Sequence, residues 1–187
     1  KTLRGPRGGL IVTNDLELLK RVNTAIFPGG QGGPLMHVIA SKAIALREAA
    51  LPSFVQYQQQ VVANAGTLAA TLVDRGLRIV SGGTDNHLLL VDVGSGGMTG
   101  AQAEDALHSV NITCNKNLIP YDQRPPMQAS GIRLGTAAIT TRGLTASHMQ
   151  LLGTWIADRI EQPQDDAVRL RILAEVAELT SACPIYA

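Results

Sequence analysis

The sequence predicts an α/β protein whose later part is a layered α+β arrangement. Short apolar runs that are typical of buried strands alternate with segments whose apolar residues repeat at helical spacing. Glycine separates these segments, and the chain has 19 glycines in 187 residues. After residue 76, several strands follow one another with helices at either end, which favours an antiparallel or mixed sheet covered on one face.

Composition excludes several classes of function. The chain has 16 Lys+Arg and 15 Asp+Glu, a net charge of +1, and is 3% aromatic, so it lacks the cationic and stacking surfaces of nucleic-acid binders. No apolar run reaches membrane-spanning length and no secretory leader pattern opens the chain, so we expect a cytoplasmic protein without membrane partners. Cys114 and Cys183 have neither disulfide-framework nor metal-ligand spacing, and we expect no metal site.

The first elements are predicted from local patterns. Residues 10–13 form a short buried strand, and Asn14 or Asp15 caps a helix that reaches about Thr24. A glycine-rich loop at residues 27–34 follows. Pro34 occupies the first position of a second helix, which continues to about Ala50.

One long helix is predicted between two domains. Ser53 is its N-cap and Gly76 its stop. Its apolar stripe consists of Val61, Ala65, Leu68 and Leu72. We expect residues 1–52 to end a first domain, residues 53–76 to form the connecting helix, and residues 77–187 to form a smaller α+β domain.

The second domain is predicted to contain five short strands and three helices. Thr99 and Gln102 have capping-box spacing for a helix that ends near Val110. The remaining helices are expected at residues 146–161 and 165–181. The strands are expected at residues 77–80, 87–93, 112–115, 132–136 and 139–141.

Two glycine-rich segments are candidate anion sites. Residues 1–9 place Lys1, Arg4 and Arg7 between glycines, which indicates either an anion site or a solvated basic turn. Residues 27–34 contain two Gly-Gly pairs around Gln31, but not the spacing of a dinucleotide fingerprint or a P-loop. That loop is either a mobile surface segment or one whose backbone approaches a phosphate or a neighbouring subunit.

Arg133 is the strongest single candidate in the second domain. In its predicted strand, Ile132 and Leu134 face the core, so Arg133 points to the other side. An arginine there is usually an exposed or paired charge, but the flanking glycines leave space for two-pronged capture of a carboxylate. The long polar loop before it, residues 116–130, is either functional or disordered.

Other catalytic signatures are missing from the sequence. His37, His87, His108 and His148 are scattered and are interpreted as structural histidines. There is no nucleophile-elbow motif and no pair of carboxylates placed for glycoside hydrolysis.

Four motifs then occur in one order: KTLRGPRGG at residues 1–9, FPGGQGGP at 27–34, SGGTDNH at 81–87 and SGIR at 130–133. Together they resemble the serine hydroxymethyltransferases, and the similarity extends to the PIYA ending at residues 184–187. The resemblance implies the end of an aspartate-aminotransferase-like (fold type I) pyridoxal-phosphate large domain, followed by a smaller α+β C-terminal domain.

The resemblance also implies roles for individual residues. Lys1 would form the Schiff base with pyridoxal 5'-phosphate, and Arg7 would be a catalytic residue beside it. Gly32 and Gly33 would reach the cofactor phosphate from the neighbouring subunit of a homodimer or tetramer. Arg133 would hold the substrate carboxylate.

The resemblance places the co-substrate tetrahydrofolate at Asn117 and at Pro125, Pro126 and Met127. Many relatives have Ser-Pro-Phe at those last three positions, so backbone contacts there are better supported than side-chain contacts. The family's ring-stacking aromatic, its pyridinium-pairing aspartate and its substrate tyrosine and glutamate all precede the position of Lys1. We therefore expect this chain to be a C-terminal part.

The implied activity interconverts serine and tetrahydrofolate with glycine and 5,10-methylenetetrahydrofolate. Two alternatives stay open. One is a non-catalytic dimerisation or ligand-binding module, which would not attach the cofactor unaided. The other is a related pyridoxal-phosphate aldolase such as threonine aldolase, which would cleave its substrate without folate.

Overall fold

The computed structural model describes residues 2–185, which divide into two compact units between Val55 and Gln56. The helices are α1 (Leu16–Thr24), α2 (Met36–Ala49), α3 (Pro52–Asp74), α4 (Gly100–His108), α5 (Ala137–Thr141), α6 (Ala146–Glu161) and α7 (Asp166–Ala182). The strands are β1 (Arg78–Ile79), β2 (Leu88–Asp92), β3 (Asn115–Asn117) and β4 (Gly131–Gly135).

The first unit contains α1, α2 and a wide turn at Ala25–Gly30. Of the two caps predicted for α1, Asp15 is the one used, because its carboxylate accepts hydrogen bonds from the backbone N–H groups of Glu17 and Leu18. The prediction for Pro34 is wrong: α2 begins at Met36, after an extended Leu35. The predicted strand at residues 10–13 is also wrong, because that segment pairs with no described strand.

The first unit has no core of its own. Among its described residues, 2–55, none is buried. Leu10, Ile11 and Val12 are 66%, 62% and 81% exposed, although their side chains are strongly apolar. An apolar segment of this kind is stable in water only when other polypeptide covers it.

The second unit is built on a four-stranded antiparallel sheet with the order β1-β2-β4-β3. β4 is central, and its register places Arg133 opposite Leu90 of β2 and Asn115 of β3. The sheet is antiparallel, one of the two arrangements predicted.

One face of this sheet forms the core. Ile132 and Leu134 of β4 are buried with Leu89 and Val91 of β2, as the alternation predicts. Helices α3, α4, α6 and α7 supply the other side of the core. Their fully buried side chains include Leu68, Leu72, Leu107, Met149, Ile156 and Ile172. The opposite face of the sheet carries Arg133.

Two of the three capping predictions for α3 and α4 are confirmed. Thr99 and Gln102 make both bonds of the capping box at the start of α4. Gly76, with φ +82°, ends α3: its N–H donates to Val73 O, and the next N–H, of Leu77, donates to Leu72 O. Ser53 is not the N-cap, because α3 already begins at Pro52.

Two strand predictions in this unit are wrong. Residues 139–141 belong to α5, where Thr140 Oγ1 donates to Thr136 O and accepts from buried Asn64 Nδ2. The strand expected at residues 112–115 pairs instead at Asn115–Asn117. Ile112 and Cys114 are buried in the core without joining the ladder.

Candidate active site

Arg133 emerges on the sheet face that the helices do not cover. Its side chain is half-buried, between Leu90 and Asn115 on the neighbouring strands. Within residues 2–185 no hydrogen bond or ion pair engages its guanidinium. A half-buried cation without an internal partner is suited to binding an anion from outside the unit.

Asn117 lies on the same face as Arg133. It pairs with Gly131, two residues before Arg133 on β4, so the two side chains are diagonal neighbours at roughly 7–8 Å between α carbons. The side-chain Nδ2 of Asn117 donates to Leu118 O at 2.7 Å, and its Oδ1 takes no part in that bond. The structure therefore brings these two predicted site residues together.

The glycine beside Arg133 has a different use from the one predicted. A β carbon on Gly131 would lie 2.7 Å from Ile119 Cγ2 and 3.0 Å from the backbone oxygens of Asn117 and Val91. The sequence predicted that Gly131 leaves space for the guanidinium of Arg133. In the structure, Ile119 fills the space beside Gly131. This packing draws the loop after β3 onto the open face of the sheet.

That loop, residues 118–130, is organised by Asp122. Its carboxylate accepts hydrogen bonds from Ser130 Oγ (2.7 Å), Ser130 N (2.8 Å), Arg124 N (3.0 Å) and Ile119 N (3.2 Å). The bond from the Ser130 hydroxyl, together with the backbone bonds, lowers the pKa of Asp122 from 3.8 to about 2. Sequence reasoning missed Asp122. The signal that could have found it is an aspartate directly after a Pro-containing turn, where its side chain bonds nearby backbone.

Pro125, Pro126 and Met127 lie in the same loop. Pro125 O accepts the N–H groups of Gln128 and Ala129, each at 2.9 Å, which forms a tight turn. The side chain of Met127 is 77% exposed. These predicted site residues are therefore presented to solvent by a hydrogen-bonded loop.

The two Gly-Gly pairs of residues 27–34 differ from each other. A β carbon on Gly29 would lie 2.9 Å from Thr24 O, so this glycine allows the turn at the end of α1. Gly32 and Gly33 have nothing within 4 Å of that position, and their backbone N–H groups donate to no described residue. The second pair is thus open to a ligand or a second chain.

The basic segment at the start of the first unit is only partly described. Arg4 lies over the ring of Phe54, with 5.8 Å from its guanidinium carbon to the ring centre. Arg7 is exposed, and no hydrogen bond or ion pair to it occurs among residues 2–185. Lys1 lies outside the described residues.

Two of the histidines have structural contacts, as predicted. His108 Nε2 lies 3.1 Å from Cys114 O, and His148 Nδ1 accepts from Thr145 N at the start of α6.

Among the described residues, no three His, Cys, Asp or Glu side chains are grouped as metal ligands. None of the described helices has both the length and the apolar character needed to span a bilayer.

A cleft of about 800 Å³ in the second unit is lined by none of the predicted site residues. Arg159, which is 5% exposed, lies at its wall. Its guanidinium donates to Ala106 O, Gln162 O and Ser109 Oγ, and so satisfies the carboxyl ends of α4 and α6. This arginine is used by the fold, so the cleft is a weaker candidate site than the face around Arg133.

Comparison with known proteins shows which family this chain resembles. A family model described as serine hydroxymethyltransferase matches residues 1–156. The chain is 56% identical over 186 residues to a serine hydroxymethyltransferase of Polynucleobacter necessarius subsp. necessarius and to one of Leptothrix cholodnii. It is 55% identical to that of Polynucleobacter asymbioticus. Each match covers 100% of this chain and 45% of the relative, so the chain spans less than half the length of these relatives.

The fold and these matches define a chain of the fold type I class of pyridoxal-phosphate proteins, of mixed α/β structure with a small antiparallel sheet. It belongs to the serine hydroxymethyltransferase family. Membership of this family implies pyridoxal phosphate as the cofactor of the complete protein.

Proposed function

We propose that this chain forms the C-terminal part of a serine hydroxymethyltransferase, which interconverts serine and tetrahydrofolate with glycine and 5,10-methylenetetrahydrofolate. The observation that carries the proposal is Arg133. Its half-buried guanidinium has no partner among residues 2–185 and stands on the open sheet face beside Asn117. Family membership supports the same assignment.

The first unit fits the role of the end of a large cofactor domain. We assign residues 1–52 to that domain, residues 53–76 to the connecting helix and residues 77–187 to the small domain. The exposed apolar side chains of Leu10, Ile11 and Val12 support this assignment, because they require covering polypeptide that these residues do not supply. The polypeptide that precedes the matched region in the relatives is the natural candidate.

The backbone at Gly32 and Gly33 fits the phosphate group of pyridoxal phosphate. The backbone at Gly32 and Gly33 is open, and its N–H groups donate to no described residue, as a phosphate site requires. We assign these glycines to the phosphate of the cofactor held by the neighbouring subunit of a homodimer. Lys1 would hold the cofactor through its Nζ, and Arg7 would supply positive charge next to that lysine.

When bound, the cofactor supplies an electron sink for the bond that breaks at the substrate α carbon. Arg133 would bind the carboxylate of serine with two parallel N–H bonds and so fix the orientation of the α carbon. Asn117, with the loop of Pro125, Pro126 and Met127, would contact tetrahydrofolate. Asn117 and Arg133 share one sheet face, so the acceptor and the amino acid would be held next to each other.

The experiment joins this chain to the N-terminal part of the Leptothrix cholodnii relative and supplies pyridoxal phosphate. We expect conversion of serine to glycine that depends on tetrahydrofolate. Cleavage of β-hydroxy amino acids with no effect of folate on serine would instead indicate an aldolase such as threonine aldolase. Folded protein without either activity would indicate a non-catalytic dimerisation or ligand-binding module.

A serine hydroxymethyltransferase of this kind is expected in the cytoplasm.

A further inference from the structure

The carboxylate of Asp122 joins the two ends of the loop at residues 118–130. Oδ2 accepts from Ile119 N near the start of the loop and from Ser130 N at its end. Oδ1 accepts from Ser130 Oγ and from Arg124 N in the middle. All four bonds are therefore made within a single loop by one side chain.

The same loop is tied to the rest of the unit at two further points. Arg124 Nη1 donates to Met98 O at 2.6 Å, which joins the loop to the segment before α4. Ile119 packs where a side chain on Gly131 would be, against the start of β4. Ordering a loop of this length is entropically unfavourable, so these contacts must offset that entropy if the loop is to keep one conformation.

The ordered loop ends where the site begins. Asn117 precedes it on β3, and Ser130 is its last residue, three residues before Arg133. Ser130 O in turn accepts the N–H groups of Val93 and Gly94, so this end of the loop is anchored to the end of β2. Asp122 itself has its acceptor positions filled by backbone and hydroxyl donors, which suits a residue that acts through its neighbours.

We infer that Asp122 is a positioning residue for folate binding: its carboxylate holds residues 118–130 in the conformation that presents Pro125, Pro126 and Met127 to the co-substrate, beside Asn117 of β3. The inference rests on the function proposed above. Arg133 is affected much less, because β4 keeps its register through pairing with β2 and β3. Loss of Asp122 should therefore separate folate binding from amino-acid binding.

The test uses the holoenzyme, formed by this chain with the N-terminal part that its relatives possess and with pyridoxal phosphate. Asp122→Asn places an amide NH2 where one carboxylate oxygen accepts bonds, so in either orientation of the amide at least one backbone N–H of the loop loses its acceptor. We expect KM for tetrahydrofolate to rise about tenfold or more, with KM for serine changed less than about twofold. Ser130→Ala removes only the hydroxyl donor and should raise KM for folate in the same direction but less.

Asp165→Asn is the matched control. Asp165 also accepts two backbone N–H bonds, at the start of α7, and asparagine caps a helix equally well, so both KM values should stay unchanged. An active holoenzyme in which Asp122→Asn leaves KM for folate unchanged overturns the inference alone. So does a parallel rise in both KM values together with a lowered Tm, because Asp122 would then be merely structural. No turnover of serine and tetrahydrofolate by the unsubstituted holoenzyme contradicts the proposed function, and the inference with it.

Discussion

Arg133 of β4 lies directly opposite Asn115 of β3, on the face of the sheet away from the core. Asn115 is exposed and carries no charge, so it leaves the guanidinium unneutralised. The arginine is therefore available to a carboxylate at little cost in internal contacts.

Arg133→Ala should remove serine binding without unfolding the chain. Charged hydrogen bonds contribute about 1.5–3 kcal/mol each, so losing a two-pronged contact should raise the Kd for serine about 100-fold or more. Because no described residue pairs with Arg133, the free energy of unfolding should change by less than about 0.5 kcal/mol. Serine titration of the holoenzyme and chemical denaturation measure the two quantities.

Arg133→Lys is the matched control, since it keeps the charge but cannot make two parallel bonds. It should fall between the alanine variant and the unsubstituted protein. Near-normal serine affinity in Arg133→Ala would refute the assignment of this residue.

Gly131→Ala should destabilise the second unit. The added β carbon would meet Ile119 Cγ2 at 2.7 Å and two backbone oxygens at 3.0 Å, and backbone cannot move aside cheaply. We expect a loss of about 1–3 kcal/mol in the free energy of unfolding, measured by denaturation. Gly96→Ala is the control, because nothing lies within 4 Å of its β-carbon position. Equal stability of the two variants would show that Ile119 does not pack against β4.

Tyr121→Asn should stabilise the chain. Tyr121 has φ +60° and follows Pro120 in the turn at residues 119–122. Its side chain is 96% exposed, so it bears backbone strain with little packing in return. Asparagine tolerates this conformation, and we expect a gain of about 0.5–1 kcal/mol in a denaturation experiment. Tyr121→Ala keeps the strain and should bring no such gain. If the alanine variant were stabilised equally, the backbone conformation would not be the cause.

The contribution of Asp122 to stability should disappear in acid. Its pKa is lowered from 3.8 to about 2, so the folded state favours the ionised carboxylate. The contribution is therefore complete above about pH 4 and is lost as the pH falls through about 2. The difference in stability between the unsubstituted chain and Asp122→Asn, measured by denaturation at several pH values, should shrink across that window. A difference that stayed constant down to the lowest pH would contradict the bonding described here.

Cys114 should resist alkylation in the folded chain. Burial, with a smaller effect from the charge of Glu104, raises the pKa of its thiol to about 12, so almost no thiolate is present at mildly alkaline pH. Iodoacetamide should modify Cys183, which is half-buried near the end of α7, and should reach Cys114 only after unfolding. Peptide mass spectrometry distinguishes the two thiols, and equal rates in the native chain would contradict the burial of Cys114.

Local signals in the sequence predicted the helices well. Asp15, the pair Thr99 and Gln102, and Gly76 act within one or two turns of the chain, so their effect can be read without knowing the fold. The alternation around Arg133 likewise predicted which side of β4 it occupies, because one face of that strand had to be buried.

Features that depend on distant residues were not predicted. Residues 139–141 are rich in strand-forming side chains, yet Asn64, distant in sequence, bonds Thr140 and helps to hold that segment as helix. Residues 10–13 look like a strand, but no described strand lies beside them. Asp122 was missed because two of its four hydrogen bonds come from Ser130, eight residues away in the sequence.

The central claim is that this chain supplies the lysine that attaches pyridoxal phosphate, together with the arginine that binds the amino acid. The most direct measurement reduces the holoenzyme with borohydride in the presence of the cofactor and locates the modified lysine by peptide mass spectrometry. The account predicts a cofactor adduct on Lys1. An adduct on Lys20, Lys42 or Lys116 instead, or no adduct on any lysine of this chain, would contradict it.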